Sequence, residues 1–147
     1  MTSITELMTR DVRTLSPRNT VAEAAQDMAE LNVGVIPVCE GDKLIGVVTD
    51  RDIVVRSVAR GLDGRTTTLA DVMSTQVRTA LASDDVYQVL TEMSASQIRR
   101  LPVVDEAQRL IGIISIGDIA ATGRDEEDVG QSLGDISETL ASSPSAA

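Results

Sequence analysis

Leu44-Ile45-Gly46-Val47-Val48-Thr49-Asp50-Arg51-Asp52-Ile53 reads as a buried, β-branched strand that runs straight into a helix. The same order returns as Leu110-Ile111-Gly112-Ile113-Ile114-Ser115-Ile116-Gly117-Asp118-Ile119. Only the pair Asp50-Arg51, against Ile116-Gly117, changes in character. A hydrophobic strand, a hydroxyl residue and a carboxylate three positions further on therefore occur twice in one chain of 147 residues.

The duplication extends upstream. Ile36-Pro37-Val38 returns as Leu101-Pro102-Val103, and Leu7-Met8 as Val72-Met73. Val12-Arg13-Thr14 returns as Val77-Arg78-Thr79, and the apolar face of Val21, Ala24, Ala25, Met28 and Leu31 is echoed by Val86, Val89, Leu90 and Met93. The offset is 65 from residue 7 to the turn after the Pro strand and 66 from an extra residue near Gln108 through Asp118. Two copies are too few for a solenoid. They predict two half-domains over residues 3–61 and 68–122, each ordered α-β-α-β-β-α and marginal alone. A polar linker at 62–67 joins them and an acidic tail at 123–147 follows.

Local signals fix the elements. Ser3 with Glu6, Thr20 with Glu23, and Thr68 with Asp71 have capping-box spacing. Val12 to Leu15 reads as a short strand after which Ser16-Pro17 turns the chain. Pro37 lacks an N–H, which puts the strand Val35–Cys39 at an edge or a break in pairing. The helix opened by Thr49 places Ile53, Val54, Ser57 and Val58 on one face, and Gly61 ends it. In the tail, Val129, Leu133, Ile136 and Leu140 form a sparse helical stripe; from Ser142 onward the composition reads as disordered.

Composition narrows the function. The core must be aliphatic, because the chain has one Tyr, no Phe and no Trp. The net charge is −10, and an acidic chain with so few aromatics is ill suited to binding DNA or RNA strands. Cys39 is the only cysteine, so no intrachain disulfide forms. With no His, a Cys/His zinc site and the commonest general base are both missing. No apolar run approaches the ~20 residues of a membrane span, and Met1-Thr2-Ser3 leads into a helix-like stretch without a signal-peptide pattern. The expectation is a cytoplasmic protein. No nucleophile–base pair, metal cluster or phosphate-binding glycine loop is visible, so an enzyme is not expected.

The two h-P-h strands and the two G-h-h-[ST]-x-x-D segments, Gly46 to Asp52 and Gly112 to Asp118, resemble the CBS domain pair, or Bateman module, over about residues 3–122. Within that family the chain is similar to the small stand-alone bacterial CBS proteins, a group that includes the hypoxic response proteins. The resemblance implies an α/β fold of the α+β type, with tandem CBS repeats packed through their sheets in pseudo-two-fold symmetry. It implies a regulatory homodimer whose cleft between repeats takes AMP, ADP, ATP or S-adenosylmethionine, with no resident cofactor. It also allows a CBS dimer that binds a protein partner and no nucleotide.

By the same resemblance, Asp52 and Asp118 hold ribose hydroxyls, Thr49 and Ser115 contact ribose or phosphate, and backbone at Val35, Ile36 and Pro37 or at Leu101 and Pro102 reads adenine. Thr14 and Thr79 offer hydroxyls at matching strand ends, where an ordinary strand Thr is an equal reading. Residue chemistry adds a second view of the motif. [ST]-x-x-D is also an N-cap with an acidic partner, and a helix N-terminus itself favours an anion. Arg99 and Arg100 precede the second Pro strand, where a guanidinium fork suits phosphate; the first repeat has Gly34 and Val35 there. Arg51 lies inside the first motif but is flanked by Asp50. The two sites are therefore expected to be unequal, with the stronger anion site near Arg99, Arg100, Ser115 and Asp118.

Overall fold

The computed structural model describes residues 3–121; the expected tail stripe and the disordered end fall outside them. The described chain forms two compact units. Helix α1 (Val21–Leu31), strands β1 (Val35–Glu40) and β2 (Lys43–Thr49) and helix α2 (Asp50–Ile53) carry the first repeat. Helix α3 (Leu69–Val72), strand β3 (Ala80–Leu81), helix α4 (Val86–Ser96), strands β4 (Arg100–Val104) and β5 (Leu110–Ser115) and helix α5 (Ile116–Ala120) carry the second. The mixed α+β architecture and the tandem order are those expected.

One unit comprises residues 13–77 and 107–110, the other residues 3–12, 78–106 and 111–121. Each thus contains the opening segment of the repeat whose body lies in the other. In the first unit Leu69 and Val72 of α3 join Val21, Ala24, Ile36 and Val48 in one buried cluster. In the second, Ile4 and Met8 pack with Val89, Met93, Leu101 and Ile114. The opening segments are stitched in by backbone pairs. Ser74 and Val47 exchange N–H···O bonds of 2.8 and 2.9 Å, and Thr9 and Ile113 exchange bonds of 2.8 and 2.9 Å. The motif glycines permit this approach. A Cβ on Gly46 would stand 2.6 Å from the Ser74 carbonyl oxygen, and one on Gly112 2.7 Å from that of Thr9.

In the first unit β1 and β2 form an antiparallel two-stranded sheet with a register shift between Val38 and Cys39. The strand expected at Val12–Leu15 shrinks to one bridging residue: Leu15 donates to the Pro37 carbonyl at 3.1 Å, and the Cys39 N–H donates to Leu15 at 2.8 Å. That edge of β1 needs nothing from the Pro37 nitrogen, which suits a residue without an N–H. The second unit has a three-stranded sheet in the order β3-β4-β5, so Pro102 sits in a middle strand. Pairing of β3 with β4 begins at Val103, one residue beyond the proline. Near the extra residue of the second repeat, Gln108 adopts φ +65° in the turn between β4 and β5, as Gly41 does at +64° between β1 and β2.

Several local expectations need correction. Thr20 and Glu23 do form a capping box, but Ser3 caps only a three-residue 3-10 turn, Ile4–Glu6, and accepts from Thr5 rather than pairing with Glu6. Thr68 caps α3 without a side-chain bond. Asp85 and Gln88, the positions equivalent to Thr20 and Glu23, form a capping box at the start of α4 instead. The helix opened by Thr49 turns after Ile53 into a π-helical turn, Val54–Val58. A π turn accommodates an extra residue and rotates the faces. Ile53 and Ser57 therefore point inward, while Val54, Val55 and Val58 are 58, 46 and 66% exposed.

Candidate functional site

Each unit assembles one motif with its own Pro strand. In the first unit the Thr49 hydroxyl accepts from the Asp52 N–H at 3.0 Å, and the Asp52 carboxylate accepts from the Thr49 N–H at 3.0 Å. In the second, Ser115 and Asp118 make the same reciprocal pair at 3.0 and 3.0 Å. The capping reading of [ST]-x-x-D is thus realised twice. It also fixes the rotamer of each carboxylate, so that its outer oxygen is presented in one direction.

The residue after each hydroxyl ties the motif to the loop before the Pro strand. The Asp50 N–H donates to the Gly34 carbonyl at 2.9 Å, and the Ile116 N–H donates to that of Arg99 at 3.0 Å. Thr49, Asp52 and Gly34 therefore converge in one unit, and Ser115, Asp118 and Arg99 in the other. The strand-end hydroxyls flank the same strands. Thr14 precedes Leu15, which bridges β1 at Val38, and Thr79 precedes Ala80, which pairs with Val103 of β4. Thr14 is exposed and Thr79 half-buried. Val35 is half-buried, whereas Ile36, Pro37, Leu101 and Pro102 are buried. Ile36 and Leu101 are core side chains, so neither side chain is presented to a ligand.

Charge distinguishes the two constellations. Beside the first, the Asp50 carboxylate lies over Gly34, whose hypothetical Cβ would be 3.0 Å from Asp50 Oδ2. Asp50 Oδ1 accepts from the Arg51 N–H at 2.8 Å, and Arg51 itself is exposed. Beside the second, Ile116 is buried and neutral, and Arg99 and Arg100 are exposed at the start of β4. No hydrogen bond or ion pair joins either guanidinium to the described residues.

The carboxylates differ in the same sense. Asp52 is buried and also accepts from the Ser74 hydroxyl at 3.2 and 3.3 Å, with the Arg56 Nε at 3.8 Å. Asp118 is half-buried, and the bond from the Ser115 N–H is the sole hydrogen bond its carboxylate accepts among the described residues. Sequence reasoning missed Ser74 and Arg56. The repeat alignment pairs Ser74 with Thr9, a hydroxyl at both positions; Arg56 had no such signal, since its counterpart is Thr122. Cys39 is buried at the end of β1, and desolvation, helped by the charge of Asp42, raises its thiol pKa.

A strand pair, a hydroxyl-capped carboxylate and a preceding Pro strand, each present twice, define a tandem CBS architecture. The CBS domain profile matches residues 4–58 and 69–123, and the chain belongs to that family. It is 42% identical to the CBS domain-containing protein YhcV of Bacillus subtilis over 93% of this chain and 96% of that one. It is 36% identical to hypoxic response protein 1 of Mycobacterium tuberculosis over 82% of this chain and 84% of the relative. The crystal structure of Hypoxic Response Protein I with two coordinated zinc ions superposes with a TM-score of 0.74, covering 83% of this chain and 99% of that one. The CBS domain pair of MJ0100, in complex with 5′-methylthioadenosine and S-adenosylmethionine, gives a TM-score of 0.69 at 28% identity, covering 82 and 98%.

The Hypoxic Response Protein I structure holds two coordinated zinc ions. The chain has no His and a single Cys. Among the described residues no group of three or more His, Cys, Asp or Glu side chains stands close enough to hold a metal ion. Among the same residues, no helix is long and apolar enough to cross a membrane.

Proposed function

We propose that this protein is a cytoplasmic regulatory CBS pair that binds an adenosine-containing ligand (AMP, ADP, ATP or S-adenosylmethionine) at its second motif. The carrying observation is the coincidence in one unit of a capped, half-buried Asp118 and of two guanidinia, Arg99 and Arg100, that have no hydrogen bond or ion pair among the described residues. A ribose diol donates to the carboxylate. Arginine forks neutralise phosphate or carboxylate groups. The backbone beside Leu101 and Pro102 reads the base, and Thr79 supplies a further hydroxyl. The adenosine compounds held by the CBS pair of MJ0100 support this ligand class.

Calorimetric titration with the four compounds tests the reading. A hydrogen bond to a charged group contributes about 1.5–3 kcal/mol, so Asp118→Ala lowers affinity by roughly 10- to 100-fold. Replacing Arg99 and Arg100 by Ala weakens AMP at least as much. If none of the four compounds binds at millimolar concentration, the reading is wrong.

The exposed aliphatic stripe Val54, Val55 and Val58 favours an added role in association, since large apolar side chains at this exposure gain from being covered. A homodimer built on this face loses half its mass in solution when Val54 and Val58 are replaced by Glu. The same change tests the alternative of a nucleotide-free protein-binding dimer, which loses its partner without any change in nucleotide response.

A further inference from the structure

The first motif carries a network that its sequence twin lacks among the described residues. Arg56 donates through Nη1 to the carbonyls of Val72 and Met73, at 3.4 and 3.2 Å, while its Nε lies 3.8 Å from Asp52 Oδ1. The Ser74 hydroxyl donates to the same carboxylate, and the Ser74 backbone is already paired with Val47. With the cap bond from Thr49, donors approach the Asp52 carboxylate from three elements: its own helix, the strand end before it and the segment after α3. In the second repeat the equivalents of Ser74 and Arg56 are Thr9 and Thr122. Thr9 is exposed and makes no bond to Asp118.

A carboxylate holds a ribose diol only if it has lone pairs free and can be reached. Asp52 is disadvantaged on both counts: its side chain is only 11% exposed, and its two oxygens already accept from Thr49 and Ser74 with the Arg56 cation beside them. To use it, a ligand would have to displace Ser74 and outcompete a cation that is itself tied to two carbonyls. Leaving Asp52 without those partners is costly, because a buried charge must stay paired. We infer that Ser74 and Arg56 form a latch on Asp52, which turns the first motif into the fastening for residues 72–74 and leaves ligand binding to the second motif. The inference rests on the reading above for the identity of the ligand but not for the existence of the latch.

Ser74 is then a positioning residue that decides how many sites the chain offers. Removing its hydroxyl makes the hydrogen bonding of Asp52 resemble that of Asp118. The first motif has no counterpart to Arg99 and Arg100, so a neutral adenosine compound is the suitable probe. 5′-Methylthioadenosine presents the diol and the base without a phosphate.

Two measurements test the latch. In the first, thermal unfolding is followed for Ser74→Ala, Asp52→Asn and the double variant. Groups in one network are coupled, so the double variant unfolds no earlier than the more damaged single variant, and Ser74→Thr restores the wild-type midpoint. Additive shifts overturn the latch. In the second, the protein is titrated with 5′-methylthioadenosine. The wild type saturates at one ligand per chain, Ser74→Ala gains a second and weaker site, and Ser74→Thr returns to one. Two equal sites in the wild type, or a Ser74→Ala titration identical to wild type, overturn the exclusion of ligand from the first motif. If the wild type binds neither this compound nor AMP, the ligand reading fails instead, and the unfolding cycle alone decides the latch.

Discussion

Gly46→Ala is the sharpest perturbation of the fold, because the geometry sets its cost. The added Cβ would stand 2.6 Å from the Ser74 carbonyl oxygen and 3.3 Å from Met73 Sδ. The methionine sulfur can swing aside; the carbonyl cannot, since it accepts from the Val47 N–H at 2.9 Å. Relief requires residues 73–74 to back away from β2 and lose both bonds between Ser74 and Val47. Two hydrogen bonds at about 1 kcal/mol each, with about 1–2 kcal/mol of overpacking, give a loss of about 3–4 kcal/mol. For a chain of this size that is a fall in midpoint of roughly 10 °C. Gly112→Ala meets the Thr9 carbonyl oxygen at 2.7 Å and should behave alike. Gly117→Ala is the control. Its Cβ would lie 3.6 Å from Ser115 Oγ, an ordinary contact inside α5, and replacing a helical glycine gains about 0.5–1 kcal/mol. Urea unfolding followed by circular dichroism measures all three. A Gly46→Ala protein within about 0.5 kcal/mol of wild type would falsify the claim that close approach selects glycine in the motif.

Two further predictions concern buried groups. Ser57 Oγ is buried in the π turn without a hydrogen-bond partner among the described residues, and desolvating an unpaired hydroxyl costs about 1–3 kcal/mol; Ser57→Ala should raise stability by about 1 kcal/mol in urea, and a loss of that size refutes the assignment of a wasted hydroxyl. Cys39 has a thiol pKa raised above its ordinary 9.0, first by burial and then by Asp42, so the folded state prefers the thiol. Its contribution is fully present below the unfolded value and is lost as pH rises through the folded one. Between pH 8 and 10 the wild-type midpoint should therefore fall more steeply than that of Cys39→Val; parallel profiles count against it.

Much of this was legible in the sequence because it rests on local chemistry stated twice. Periodicity gave α1 and α4, and the paired hydroxyl and carboxylate gave the caps of α2 and α5. What stayed hidden depended on long-range placement. Val12 to Leu15 has strand composition, yet one bridging residue suffices because Pro37 limits what that edge of β1 can offer. Val54 and Val58 continue an apolar helical pattern, but the π turn rotates them outward, and nothing in a 3.6-residue period announces a π turn. The gathering of Thr49, Asp52 and Gly34, and of Ser115, Asp118 and Arg99, follows from register between segments distant in sequence. The motif supplied the residues, while the N–H···O bonds from Asp50 and Ile116 supplied the proximity.

The exchange of opening segments explains why two near-copies can differ so much in use. Each motif glycine leaves room for a backbone carbonyl from the opening segment of the other repeat, so both copies need the same strand and the same glycine. That requirement falls on the backbone and does not reach the carboxylate. Once the segment is held by backbone pairs, the side chain at its end is free to vary. Ser74 turns toward Asp52, while Thr9 stays exposed and leaves Asp118 with its cap bond. The surrounding charges diverge along the same line. Where the carboxylate is occupied, the motif carries Asp50 and lacks basic residues before its Pro strand. Where it is open, the motif interior is neutral and two arginines stand beside it. On the function proposed above, one copy fastens the fold and the other meets an anion-bearing ligand, and the shared scaffold allows this because its own requirement ends at the glycine.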